Sequence, residues 1–171
     1  IERTEVGTAQ TTLNTYDVND HLLSTMSGIT YTTYTYDFAG RQVWQVRPGV
    51  FRSRHGFCSS PVLFEDKVLV NGDHDGDSYL VALDRADGHT VWKTPRENHT
   101  RSYCVPIIRT LGGRTQMVLS GNKCIASYDP ATGARHWIID GPTEQFVASV
   151  VHHEPSGLLL ATGFAQTITI G

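Results

Sequence analysis

Three tryptophans, Trp44, Trp92 and Trp137, stand 48 and 45 residues apart, and each closes a similar phrase. The phrases run Tyr36-Asp37-Phe38-Ala39-Gly40-Arg41-Gln42-Val43-Trp44, Leu83-Asp84-Arg85-Ala86-Asp87-Gly88-His89-Thr90-Val91-Trp92 and Tyr128-Asp129-Pro130-Ala131-Thr132-Gly133-Ala134-Arg135-His136-Trp137. In every copy a glycine precedes the tryptophan by four residues and an aspartate by seven or eight. That spacing is hairpin chemistry: the carboxylate caps a turn, and the glycine takes the positive φ of a tight reversal. A repeat of about 45 residues marks a supersecondary unit that buries its faces only against its neighbours.

Short aliphatic runs bounded by turn residues lie upstream of the later phrases, and they read as strands. Ser60-Pro61-Val62-Leu63-Phe64 precedes Lys67-Val68-Leu69-Val70-Asn71-Gly72, and Val105-Pro106-Ile107-Ile108-Arg109 precedes Gln116-Met117-Val118-Leu119-Ser120-Gly121. A third copy runs through Ala148-Ser149-Val150-Val151 and Leu158-Leu159-Leu160-Ala161-Thr162-Gly163. Each unit then has strands A to D, at 59–64, 67–72, 79–84 and 89–94 and again at 103–109, 115–121, 124–129 and 134–139. The last unit, 147–171, stops after its third strand. No ten-residue stretch sustains a helical period. The expected fold is all-β, a partial β-propeller of roughly three to four four-stranded antiparallel blades. Such a wedge has open edges that the remaining blades of a longer chain would cover.

These phrases resemble the pyrroloquinoline-quinone-type (PQQ-like) repeat over residues 36–165. The resemblance implies that Trp44, Trp92 and Trp137 lock neighbouring blades together. It also implies a periplasmic or secreted place, which composition alone leaves unknown. Dehydrogenases of that family carry adjacent cysteines, a calcium ion and a catalytic aspartate, but Cys58, Cys104 and Cys124 lie far apart here. The chain is more similar to the scaffold branch, which includes the lipoprotein of the outer-membrane assembly machinery. A dehydrogenase piece whose catalytic residues lie in missing blades is the alternative, and only there would PQQ and calcium be cofactors. Residues 1–47 are read either as a first blade, with strands at 9–16, 20–27, 30–36 and 41–47, or as hairpins of another kind. For the second reading, Tyr16-Asp17-Val18-Asn19-Asp20-His21-Leu22 and Tyr36-Asp37-Phe38-Ala39-Gly40-Arg41-Gln42 resemble the YD repeat of Rhs-type shells.

Composition narrows the function classes. Fourteen Lys plus Arg against seventeen Asp plus Glu give a formal charge of −3, without the basic stripe that nucleic acid requires. No stretch reaches the roughly 20 apolar residues of a membrane span. Three cysteines without CxxC spacing read as small buried residues, not a zinc site or a disulfide framework, with a single disulfide between one pair left open. Nucleophile elbow, phosphate-cradling loop and HExxH motif are all absent.

Propeller geometry gathers the remaining polar residues. D-to-A and B-to-C connections emerge on one face, where loops on a rigid scaffold commonly bind. The expected contact residues are Arg54, His55, His74, Asp75, Asp77, His99, Arg101, Tyr103, Glu144 and Gln145, with Arg and Tyr as anchors. Asp73, Asp75 and Asp77 have the alternate spacing of a calcium loop, but the twelfth position is Asp84 within a strand, so hydrated turn carboxylates are expected. No metal site and no catalytic residue is assigned. The expected function is noncatalytic binding of a protein or an extended ligand.

Overall fold

The computed structural model of the chain describes residues 2–7, 10–16, 22–27, 30–36, 42–56, 59–141, 147–163 and 166–170. Its sixteen strands form four antiparallel meander sheets, and one 3-10 turn at Glu154–Ser156 is the sole helical element among the described residues. The first sheet runs β1 (Glu2–Gly7), β2 (Gln10–Tyr16), β3 (Leu22–Ser27), β4 (Thr30–Tyr36) and β5 (Gln42–Val46). The second contains β6 (Val62–Phe64), β7 (Lys67–Gly72), β8 (Tyr79–Asp84) and β9 (Thr90–Pro95). The third contains β10 (Ile107–Leu111), β11 (Arg114–Gly121), β12 (Cys124–Tyr128) and β13 (Arg135–Asp140). The fourth contains β14 (Val151–His153), β15 (Leu158–Gly163) and β16 (Gln166–Ile170). This is a partial β-propeller.

Two details depart from the expected strands. The first sheet has a fifth strand, β1, which pairs with β2 from Glu2↔Thr15 to Gly7↔Gln10. Glu2, Arg3 and Glu5 gave it no apolar alternation to read, and charge is common on an edge strand. The A strands β6 and β10 begin after Pro61 and Pro106, because proline has no N–H for the ladder. The chain before each proline bonds across a seam instead. Ser59 Oγ donates to Cys104 O at 2.8 Å, and Ser149 Oγ accepts from Val105 N at 2.9 Å.

Stacking explains why the inner strands carry apolar residues at consecutive positions. Both faces of β7 and β8 are covered, so alternate residues serve opposite seams. Val68, Val70, Tyr79, Val81 and Leu83 pack with Trp44 and Phe51. Leu69, Leu80 and Ala82 face the other way and meet Met117, Leu119, Cys124, Ala126 and Tyr128. Val118 and Ile125 continue the stack onto Val150, Leu159 and Ala161.

The repeated phrase builds the joints between the first three sheets. Asp84 Oδ1 accepts from Ala86 N at 2.7 Å, and Asp129 Oδ1 from Ala131 N at 2.8 Å, so both aspartates cap their turns. Gly88 and Gly133 close those turns at φ 78° and 74°. Each turn then takes the indole of the preceding sheet: Trp44 Nε1 donates to Arg85 O at 2.8 Å and Trp92 Nε1 to Pro130 O at 3.1 Å. A Cβ on Gly88 would stand 2.8 Å from the Trp44 ring, and one on Gly133 2.5 Å from Trp92. Trp137 differs: its Nε1 donates to Gln116 Oε1 of its own sheet at 2.9 Å, beside a cavity of about 450 Å3.

Candidate functional site

Strands β7 and β11 end alike, with Asn71-Gly72-Asp73 and Ser120-Gly121-Asn122, where the chain leaves the sheet for its B-to-C loop. The connection from β9 to β10 passes over both ends. Arg96 opens that connection, and its side chain is fully buried against the equally buried Asp73. Arg96 Nε donates to Asp73 Oδ1 at 3.0 Å and Nη2 to Oδ2 at 3.3 Å. Ser102 Oγ donates to the same Oδ2 at 2.6 Å, while Arg96 also reaches Tyr128 Oη at 2.8 Å and Gly121 O at 3.1 Å. Burial opposes the Arg96 charge, but the Asp73 carboxylate outweighs it and holds the guanidinium above its ordinary range. Asp73 is therefore not the hydrated turn carboxylate expected from spacing; it is 1% exposed. A second clasp lies alongside: Asn98 N donates to Asn122 Oδ1 at 2.6 Å, and Asn122 Nδ2 to Thr100 O at 3.0 Å.

Above this dry layer the loop from Asp73 to Ser78 is held from both sides. Asp75 N donates to Arg52 O at 2.7 Å, joining it to the first D-to-A connection. The second connection contributes Arg101, whose Nη1 lies 2.8 Å from both Asp75 carboxylate oxygens. That hydrogen bond raises the Arg101 guanidinium above its usual range. His99 Nδ1 is 2.7 Å from Gly76 O and 3.7 Å from the Asp77 carboxylate. Asp75, Asp77, His99 and Arg101 thus form one polar cluster, with half-buried Tyr103 following in the same connection.

Other expected residues fall elsewhere. His74 is turned inward at 2% exposure, its ring 5.1 Å from that of Phe51 and 6.0 Å from that of Tyr79. It lies beneath the loop and not on the outer face expected for a contact residue. Burial pushes its pKa below the ordinary imidazole value. Arg54 and His55 are exposed on the first connection and do not join the ion-paired cluster, while Glu144 and Gln145 lie outside the described residues. Spacing alone did not bring out Arg96, Ser102 or Asn122. A glycine followed by Asp or Asn at the end of strand B, repeated in two units, was the available signal.

Among the described residues, Asp84, Asp87 and His89 are the group whose potential ligand atoms lie within 4.8 Å of one another. They already serve the C-to-D turn, with His89 Nδ1 2.7 Å from Asp87 Oδ1. Cys104 and Cys124 are buried, and burial raises the Cys124 thiol further from ionisation. No helix among the described residues is long and apolar enough to cross a membrane.

A family model described as outer membrane protein assembly factor BamB matches residues 5–156, including the segment that carries the two Tyr-Asp phrases. Among solved structures, the chain is similar to BamB from Moraxella catarrhalis, at 16% identity and a TM-score of 0.53. That match covers 98% of this chain and 56% of the other. A europium-containing methanol dehydrogenase is matched at 16% identity and a TM-score of 0.50, over 81% of this chain and 26% of the other. The chain therefore spans 56% and 26% of the lengths of these two structures, and the likeness to both is one of fold. No curated protein sequence matches it.

Proposed function

This chain belongs to the PQQ-like repeat family described as outer membrane protein assembly factor BamB, and from that premise we propose that it is a noncatalytic scaffold. It holds a protein or an extended ligand on the face built by its D-to-A and B-to-C connections. One observation carries the reading: Asp75 and Gly76 of a loop are bonded to Arg101 and His99 of the following connection. Loops cross-linked in this way present a preformed polar surface, which reduces the ordering cost of binding. Arg54, His55, His99, Arg101 and Tyr103 are the proposed contacts, with Asp75 and Asp77 setting local charge. Glu144 and Gln145 would extend the face by their place in the repeat. A protein partner and a periplasmic, outer-membrane-associated setting follow as proposals from the family.

The test is affinity capture with wild type and the His99→Ala/Arg101→Ala double variant. The exposed Arg101–Asp75 pair is worth about 0–1 kcal/mol to folding, so the melting temperature should barely move while capture is lost. A partner retained equally by both proteins puts binding on another face. Added quinone and calcium, with dye reduction as readout, tests the dehydrogenase alternative: turnover by the full-length protein would displace the scaffold reading.

A further inference from the structure

A cavity of about 390 Å3 opens at the seam of the first and second sheets, lined among others by Val50, Arg52, His74, Asp77, Tyr79 and Lys93. We infer that this cavity binds a carboxylate carried on a short apolar arm, as an acidic side chain of a bound polypeptide presents it. The inference deepens the scaffold reading and rests on it for the source of the carboxylate.

The imidazole sets the polarity of the site. Gly76 N donates to His74 Nδ1 at 2.9 Å, which leaves the ring proton of neutral His74 on Nε2. Nε2 is buried and has no hydrogen-bond partner among the described residues. A buried donor left unmade is costly, and an incoming acceptor removes that cost. The loop is shaped to the ring, since a Cβ on Gly76 would stand 2.7 Å from His74 Cε1.

Charge selects an anion over a neutral acceptor. Arg52 is exposed at the mouth and pairs with no carboxylate among the described residues. Lys93 Nζ donates to Pro48 O at 2.8 Å and lies 3.8 Å from the centre of the Tyr79 ring, so one carbonyl is its neutral partner there. Arg52 and Lys93 line the cavity with one carboxylate, Asp77, whose side chain is fully exposed and solvent-screened, while Asp73 and Asp75, the other carboxylates near His74, are held by Arg96 and Arg101. Val50 and Tyr79 supply apolar walls, which suit an aliphatic arm better than a fully hydrated anion.

The experiment titrates the isolated protein with N-acetylglutamate amide, following the His74 imidazole nitrogens by NMR. The uncharged N-acetylglutamine amide and inorganic phosphate serve as comparison probes. Expected is a saturable Nε2 shift with the glutamate compound alone, weakened about tenfold or more by Arg52→Gln through loss of a charge-assisted contact. Arg52 is exposed, so this variant should fold; Lys93→Gln is the second variant. An absent shift, equal shifts from glutamate and glutamine compounds, equal or tighter binding of phosphate, or indifference to both variants overturns the inference. Because no partner is present in the titration, its failure leaves the capture result with His99→Ala/Arg101→Ala standing, and the converse also holds.

Discussion

Replacing Asp73 by alanine should destabilise the protein far more than the same change at Asp75, two residues away. Both side chains of the Asp73–Arg96 pair are 0% exposed. Alanine removes two guanidinium contacts, at 3.0 and 3.3 Å, and the acceptor of the 2.6 Å bond from Ser102. Arg96 keeps Tyr128 Oη and Gly121 O, but its charge stays in the dry seam with no counter-ion. Breaking one partner of a buried pair costs about 3–5 kcal/mol. For a chain of this length that lowers the melting temperature by roughly 6–20 °C. Asp75→Ala, which opens the more exposed pair with Arg101, should cost about 1 kcal/mol or less. Urea denaturation of wild type, each single variant and Asp73→Leu/Arg96→Met measures the contrast. The double variant should lose less than Asp73→Ala, since neither charge is then stranded. Equal, small losses for Asp73→Ala and Asp75→Ala would mean that water reaches the seam, and the account of a dry clasp would fail.

Two further outcomes are expected. Gly133→Ala and Gly113→Ala meet the same backbone strain, at φ 74° and 73°, but only the first drives a Cβ to 2.5 Å from the Trp92 ring. Gly113→Ala should cost about 1 kcal/mol and Gly133→Ala clearly more by urea denaturation, with Trp92 fluorescence altered only in Gly133→Ala. For His74, burial depresses the native pKa below about 6.5, so the unfolded chain binds more protons between the two values. The stability tied to neutral His74 is therefore complete above about pH 6.5 and is lost as the pH falls toward the lower native value. Stability measured from pH 7 to pH 5 should fall less steeply in His74→Gln than in wild type.

Local chemistry was the readable part of the sequence. Asp84 and Asp129 with Gly88 and Gly133 encode a turn within a few residues, and the runs at 67–72 and 79–84, apolar at their centres, became β7 and β8 with the expected limits. What lay hidden depends on partners far along the chain. Asp73 looks like any loop carboxylate until Arg96, 23 residues on, and Ser102, 29 residues on, are brought across a seam to it. His74 reads as a loop histidine until the rings of Phe51 and Tyr79 close on it from two sides. Periodicity reports which elements repeat, whereas the spaces between them belong to tertiary packing.

The joints between sheets also have a polarity. The second sheet carries an indole, Trp92, on one flank and a glycine-notched turn, at Gly88, on the other, like a tongue and its slot. A tongue of this kind meets the slot of the unit that follows it, so adding or deleting a whole unit of this pattern leaves the surviving joints of that kind matched. A cut through the middle of a unit strands a tongue or a slot. Change in length is thereby quantised, and proteins assembled on this plan can grow or shrink by complete modules without redesigning their interior.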